Sequence, residues 1–260
     1  MLLGLDVRNT HTVLGVFDAG ELVQTFRIRT LDRSTDELGM LLLQLLRHRG
    51  IRADDVTGAI CASVVPSVLF TVEKACRRYL SVELLVVGRK LKTGLRIRTD
   101  NPREVGADRI VNSVAALDEF GGPVLIVDFG TATTVDCVTA NGDYVGGAIA
   151  PGFKIAEEAL FAKTAQLPRV EVARPATAIG TNTRHAMQSG MFWGYVGMVD
   201  ALASRCRAEL AERAGCDPSA IRVVATGGMS SLFGPESATI DAIEPWLTLR
   251  GLHTLYAKNA

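Results

Sequence analysis

Two carboxylates stand at matching places in a module that the chain carries twice. Asp6-Val7-Arg8-Asn9-Thr10-His11-Thr12 answers to Asp128-Phe129-Gly130-Thr131-Ala132-Thr133-Thr134, 122 positions on. Each copy follows an apolar run: Leu2, Leu3 and Leu5 in the first, Val124 to Val127 in the second. The offset persists at the next turn, where Ala19-Gly20 answers to Asn141-Gly142, so the repeat covers a whole strand, turn, strand, turn unit. A carboxylate at the end of a buried strand is costly unless it is paired, hydrogen-bonded or bound to a cation. Hard cations take oxygen ligands, and one that accompanies phosphate keeps waters and uses only one or two carboxylates. Thr10, Thr12, Thr131, Thr133 and Thr134 add hydroxyls, while tight turns at Asn9 and Gly130 can aim backbone N–H groups at phosphate oxygens. Two halves of a clamp for a phosphate-bearing ligand and its cation fit this pattern. An Asx-turn shaping each hairpin is the alternative, and the duplication weighs against it.

A second constellation is Gly106-Ala107-Asp108-Arg109, near the start of a helix predicted over about 103–119 with Ala107, Ile110, Val114 and Leu117 on its apolar face. Asp108 lies off that stripe, and its neighbours four residues away, Glu104 and Asn112, offer it no ion pair. Arg109 points elsewhere, as suits a residue that positions a substrate carboxylate or carbonyl. A solvated surface pair is the other reading. Thr226-Gly227-Gly228 follows an apolar strand and permits close approach by a flat ligand such as adenine, although Gly-Gly turns are common. Gly180-Thr181-Asn182-Thr183 reads as a helix cap or a ligand patch. Gly190 and Gly194, with Met191, Phe192, Trp193 and Tyr195, suit either core packing or a partner chain. Arg89, Lys90, Lys92, Arg96 and Arg98 form a basic run without aromatic residues, a solvated edge or anion-facing loop rather than a nucleic-acid groove.

The elements that must hold these residues follow from periodicity. Strands are predicted at 2–7, 12–18 and 21–29, then a helix from about 34 to 49, a strand at 57–62, a helix from Pro66 to about Leu80 and a strand at 83–87. Residues 88–102 read as a loop. After Gly121-Gly122-Pro123 the series restarts, with strands at 124–128, 132–138 and 144–150 and a helix at 152–163. A loop at 164–180, a long helix over 182–214 thinned by glycines, a strand at 221–225 and a last helix at about 249–258 complete the chain. A meander, helix, strand, helix, strand in each half is an α/β pattern related to the RNase H-like unit. We place the boundary between residues 1–118 and 119–260.

Composition narrows the partners. Of 260 residues, 48% are hydrophobic and 22% charged, enough for a packed core. Lys+Arg and Asp+Glu are 28 each, so no basic excess points to nucleic acid or an anionic membrane, and a small molecule is expected. Five scattered cysteines without a C-x-x-C pair read as buried thiols of a cytoplasmic protein. The four histidines are also scattered, against a zinc site. No signal peptide and no spanning helix are expected.

Taken in order, the motifs resemble those of the type III pantothenate kinases, members of the actin, Hsp70 and sugar kinase superfamily. Asp6, Asn9 and Thr10 match the first phosphate motif; Asp128, Gly130, Thr131, Ala132 and Thr134 match the second. Gly106, Asp108 and Arg109 match the substrate motif, Gly227 and Gly228 the adenosine motif, and the stretch from Gly180 to Gly190 also looks like the family. The resemblance implies two RNase H-like (actin-like ATPase) domains with the active-site cleft between them, and phosphorylation of pantothenate by ATP, the first step of coenzyme A synthesis. It implies Asp108 as the base, with pantothenate held by Gly106, Ala107, Asp108, Arg109 and, from a neighbouring subunit of a homodimer, Thr183. ATP with Mg2+ would meet Asp6, Val7, Arg8, Asn9, Thr10, His11, Thr12, Val13, Thr131, Gly227 and Gly228. Metal would sit at Asp128 (potassium or ammonium) and near Asp6 (magnesium). Three residues depart from the family pattern: Arg8 where the first motif commonly has Gly, Thr181 where Lys is frequent and Thr99 where Tyr is often seen. At Arg8 the turn cannot rely on a glycine conformation, and a positive charge is added beside the phosphate site. Competing expectations are a non-catalytic regulator of the same fold, like the Bvg accessory factor relatives, and another kinase or phosphatase of the superfamily.

Overall fold

Short apolar runs bounded by turn residues become strands, and the longer segments with helical spacing become helices. The computed structural model describes residues 1–88, 91–162 and 170–260. Arg89 and Lys90 of the basic run, Lys163 at the end of a predicted helix and 164–169 of the predicted loop lie outside the described residues. In chain order the elements are β1 (Leu2–Val7), β2 (His11–Asp18), β3 (Glu21–Arg29), α1 (Thr35–His48), β4 (Gly58–Ser63), α2 (Pro66–Leu80), β5 (Leu84–Val86) and β6 (Arg96–Ile97). There follow α3 (Ala107–Phe120), β7 (Val124–Phe129), β8 (Ala132–Val138), β9 (Asp143–Pro151), α4 (Phe153–Ala162) and α5 (Thr183–Ala214). The chain closes with β10 (Arg222–Thr226), α6 (Ser230–Phe233), β11 (Ala242–Ile243) and α7 (Leu247–Asn259). No helix among the described residues is long and apolar enough to cross a membrane.

The chain forms two compact units, neither contiguous in sequence. The first holds Met1–Gly94, Arg103–Ala115 and Thr248–Ala260. Its sheet has the order β3-β2-β1-β4-β5, with β1 antiparallel to β2 and parallel to β4. Every residue of β1 is buried, which requires cover on both faces. Leu3, Leu5 and Val7 pack with Leu42 and Leu46 of α1 and Val72 and Cys76 of α2. On the alternate face, a Cβ on Gly4 would lie 3.6 Å from Leu252 of α7, and one on Gly15 would press on Leu249. Asp6 shares the parity of Gly4, so its side chain leaves β1 on the α7 side.

The second unit holds Leu95–Pro102 and Ala116–Leu247, with sheet order β11-β10-β7-β8-β9-β6. Apart from β6, this repeats the first sheet strand for strand. Leu125, Val127 and Phe129 of β7 pack with Phe153 of α4, Phe192, Tyr195 and Val199 of α5 and Phe233 of α6. Both units are RNase H-like α/β layers, and the predicted fold class holds.

The repeat is not uniform. The outer strands of each meander keep the 122-residue offset, β1 with β7 and β3 with β9. The middle strand does not: Val7 pairs with Thr12 in one hairpin, Phe129 with Thr133 in the other. Thr12 therefore answers to Thr133, not to Thr134 as the aligned sequences suggest. The first turn of the second copy is one residue shorter, and its next turn one longer, since Phe17 pairs with Leu22 but Val138 with Tyr144. The two changes cancel, so strand sequence alone conceals them.

Residues 88–102 are also not all loop. Arg96 pairs with Asp143 as β6 joins β9 in parallel, and the guanidinium groups of Arg96 and Arg98 reach the Asp143 carboxylate at 2.6 and 3.1 Å. These ion pairs hold Asp143 below the ordinary carboxylate range. The predicted thinning of the long helix does not occur. α5 runs unbroken for 32 residues, and Cβ atoms on Gly190, Gly194 and Gly197 would meet nothing within 4 Å.

Candidate functional site

In the first unit, β1 ends at Val7 and the chain turns through Arg8, Asn9 and Thr10 into β2. The Arg8 N–H donates to the His11 carbonyl at 3.1 Å, and the Thr10 carbonyl accepts from Thr30 N–H at 3.1 Å, closing the turn at the tip of β3. Neither Arg8 nor Gly130 has a positive φ, so this turn needs no glycine and tolerates the arginine. Asn9 and Thr10 are exposed at the tip, whereas Thr12 is buried with its hydroxyl 2.9 Å from that of Thr30. Val13 lies opposite Asp6 in the ladder.

Asp6 is only 4% exposed. Its Oδ2 accepts from Arg8 Nε at 2.7 Å. The same guanidinium donates from Nη2 to Thr248 Oγ1 of α7 at 3.0 Å, and the Thr248 hydroxyl donates to Asn112 Oδ1 of α3 at 2.7 Å. This chain of polar groups ends one helical turn beyond Asp108. Asp108 itself is half-buried in the first turn of α3, where its Oδ1 accepts from Arg109 N–H at 2.9 Å. A Cβ on Gly106 would lie 2.6 Å from that oxygen, so the glycine makes room for the carboxylate. A carboxylate at a helix N-terminus is favoured by the N–H groups there. Arg109 is also half-buried, and its carbonyl accepts from Ser113 Oγ at 2.7 Å.

In the second unit, Asp128 is likewise 4% exposed. β10 lies parallel to β7 with Thr226 opposite Asp128, which delivers Gly227 to the carboxylate. Gly227 has φ +92°, and any Cβ there would overlap Asp128 Oδ1 and the Phe129 carbonyl. The two motifs are thus in contact, and only glycine fits between them. Gly228 beside it is exposed. A Cβ on Gly152 would overlap the carbonyls of Thr131 and Gly130, so the start of α4 rests on the second turn. The hydroxyls separate by role: Thr133 bonds Tyr195 in the core and Thr134 donates to Asp136 Oδ2 at 3.1 Å, while Thr131 is exposed at the turn. Oδ1 of Asp6 and Oδ1 of Asp128 accept no hydrogen bond among the described residues, although both residues have other interactions.

Thr183 is the exposed first residue of α5, and Asn182 caps that helix, its side chain accepting from His185 N–H at 2.9 Å. The capping reading of that stretch holds. Of the residues near Gly190, Phe192 and Tyr195 are core, while Met191 and Trp193 are partly buried against it. Among the described residues no group of three or more His, Cys, Asp and Glu could hold a metal. Sequence reasoning missed Thr248 and Asn112 as members of the Asp6 network. The sequence does not mark Asn112, which stands off the predicted apolar face beside Asp108; in the structure it is 1% exposed, and a buried amide demands a partner.

Solved structures share this fold at low sequence identity. A protein assigned to the Baf family of transcriptional activators from Campylobacter jejuni aligns over 98% of this chain and 97% of its own at 16% identity, with a TM-score of 0.60. A ROK family glucokinase from Streptomyces griseus, solved with glucose and AMPPNP, aligns over 98% of both chains at 11% identity and a TM-score of 0.53. Component A of (R)-2-hydroxyglutaryl-CoA dehydratase from Acidaminococcus fermentans aligns over 98% of this chain and 95% of its own at 13% identity and 0.51. Likenesses this distant establish the fold alone. Sequence carries the relation further: a family model described as type III pantothenate kinase matches residues 2–205, a span holding both carboxylate turns, the Gly106–Arg109 helix start and the Asn182 cap. On that match the chain belongs to the type III pantothenate kinase family.

Proposed function

We infer that the protein transfers the γ-phosphoryl group of ATP to the primary hydroxyl of pantothenate, giving 4'-phosphopantothenate and ADP. The observation that carries this reading is the helix start at Gly106–Arg109, lying inside the family match and holding a half-buried carboxylate over a glycine. Phosphoryl transfer asks the protein for positioning and charge stabilisation more than for covalent chemistry. Asp108 takes the proton of the attacking hydroxyl as the new O–P bond forms and the bond to the β-phosphate oxygen breaks. Arg109 and the backbone at Gly106 hold the substrate, and Thr183, exposed at the start of α5, reaches the pocket of a second subunit in a homodimer. The turns present the N–H groups of Asn9, Thr10 and Thr131 to phosphate oxygens, those of Arg8 and Gly130 being bonded within the turns, with His11, Thr12 and Val13 forming the strand behind the first. Gly227 and Gly228 admit the adenosine.

The donor set suits hard cations: buried carboxylates at the ends of β1 and β7, and a glycine cradle at Asp128 that a side chain would fill. Asp6 would hold magnesium and Asp128 potassium or ammonium; such ions would neutralise the phosphate charge when bound.

The test is a coupled assay of ADP formation with pantothenate, in potassium and in sodium. Turnover is expected, faster in potassium; none at millimolar ATP in potassium would remove the kinase reading. Asp108→Asn should lower turnover by at least about a hundredfold, the usual scale for loss of a general base. A non-catalytic regulator, the second reading, has the Baf-family structural likeness behind it and requires that no phosphorylated product form.

A further inference from the structure

Arg8 is one of the three departures from the family pattern, and the proposed function gives its side chain no part. It is not a solvated substitution at a turn tip. Its side chain is 18% exposed, with Nε 2.7 Å from Asp6 Oδ2 and Nη2 3.0 Å from Thr248 Oγ1. The Thr248 hydroxyl gives its proton to Asn112 Oδ1 at 2.7 Å, which leaves its lone pairs to accept from the guanidinium. Asn112 and Thr248 are both buried, so the guanidinium is clamped between a carboxylate and a fixed acceptor. An arginine fork held at two ends loses little further entropy on pairing and has no neutral form to escape into. It delivers a full positive charge at the carboxylate oxygen where, on the reading above, the magnesium side of the site lies.

We propose that Arg8 is a resident counter-ion of Asp6, standing in for the cation in the metal-free protein, so that Mg2+ arriving with nucleotide meets a carboxylate whose charge the guanidinium already offsets. This rests on the assignment of Asp6 to the magnesium side. Two consequences separate it from simple packing. The ion pair stabilises the metal-free protein, because removing one member takes a charge-assisted hydrogen bond from a largely buried carboxylate. It also raises the magnesium concentration that the nucleotide complex requires, because the cation competes with a charge already in place.

Thermal melts read both. In EDTA without nucleotide, Arg8→Gln should melt about 5–10 °C below the parent, on the scale expected when one partner of a buried pair is lost from a chain of this size. Arg8→Lys should lie between, and Asp6→Asn/Arg8→Gln, which removes both charges, should recover at least half of the loss. With a non-hydrolysable ATP analogue present, the magnesium concentration giving half of the full rise in melting temperature should be at least about threefold lower in Arg8→Gln than in the parent. Should Arg8→Gln fail to fold in EDTA, the double variant and Arg8→Lys decide the first arm. A double variant as unstable as Arg8→Gln overturns the proposal, as does an Arg8→Gln protein that needs equal or more magnesium. A parent whose melting is indifferent to magnesium and nucleotide overturns it too, by removing the magnesium assignment. Pantothenate turnover by the parent, measured alongside, reports on the kinase reading separately.

Discussion

Gly227 has little freedom. Its φ of +92° is reached cheaply only by glycine, and Asp128 Oδ1 and the Phe129 carbonyl occupy the space a Cβ would need. Gly227→Ala should therefore displace the Asp128 carboxylate or the strand end, and weaken ADP binding at least about tenfold in calorimetry, given that strain of this kind costs on the order of 1–3 kcal/mol. Unchanged affinity would separate Gly227 from the nucleotide. The cysteines divide by the same logic of environment. Burial pushes the Cys76 thiol up to about 12 and the Cys61 thiol well above its usual range. Cys206, half-buried on α5, receives a hydrogen bond from the Cys137 thiol that lowers it to about 7, while Cys137 is raised by that bond and by burial. The thiolate is the nucleophile, so alkylation of Cys206 by iodoacetamide should rise between pH 6 and 8 with a midpoint at about 7. Cys61 and Cys76 should stay unlabelled in the folded protein over that range; peptide mapping that finds either labelled as fast as Cys206 would refute this.

At the scale of elements, most of what periodicity promised is present. β1, β3, α2 and β8 have the bounds read from sequence, because each is an apolar run closed by turn residues or, at α2, opened by Pro66. The misses have physical causes. β6 and β11 are two residues each and exist only through their neighbours, so no local pattern marks them. The one-residue shift of the middle strand lies in turn lengths, which side-chain alternation along a single strand does not report. At the candidate site, the positions of Asp6, Asp128, Asp108 and Gly227 could be read from motif spacing, but the partners of Asp6 could not. Thr248 and Asn112 are more than one hundred positions from Asp6, and only tertiary packing joins them to it. α5 offers a test at this scale. Its intact 32 residues with three interior glycines depend on core burial of Phe192, Tyr195 and Val199 more than on propensity, yet its first turn is held by the Asn182 cap. Asn182→Ala should cost about 1 kcal/mol in denaturant melts. Its hydrogen-exchange effect should be confined to the first turn around Thr183; protection lost along the whole helix would mean that the cap, not the core, holds it.

At the scale of the whole molecule, the last helix decides how the first unit is completed. α7 follows the second unit in sequence but packs in the first, where Leu249, Leu252 and Leu255 are buried. It comes close to its neighbours because they carry no side chain in the way: Gly4 and Gly15 under Leu252 and Leu249, Gly58 under Tyr256, and Gly251 of α7 itself against the Val111 carbonyl of α3. The N-terminal strand and the C-terminal helix therefore belong to one compact unit despite the residues between them, and contacts this distant in sequence are costly to form early. Leu252→Ala should lose about 2–5 kcal/mol, the range for a large-to-small change in a packed core. Its consequences should reach the turn at Arg8, because Thr248 on the same helix holds the guanidinium. We expect hydrogen exchange in Leu252→Ala to speed up in β1, β2 and the Arg8–Thr10 turn, while β7, β8 and β10 of the second unit keep the parent's protection. Equal acceleration in both units would show that α7 stabilises the molecule as a whole and not the first unit in particular.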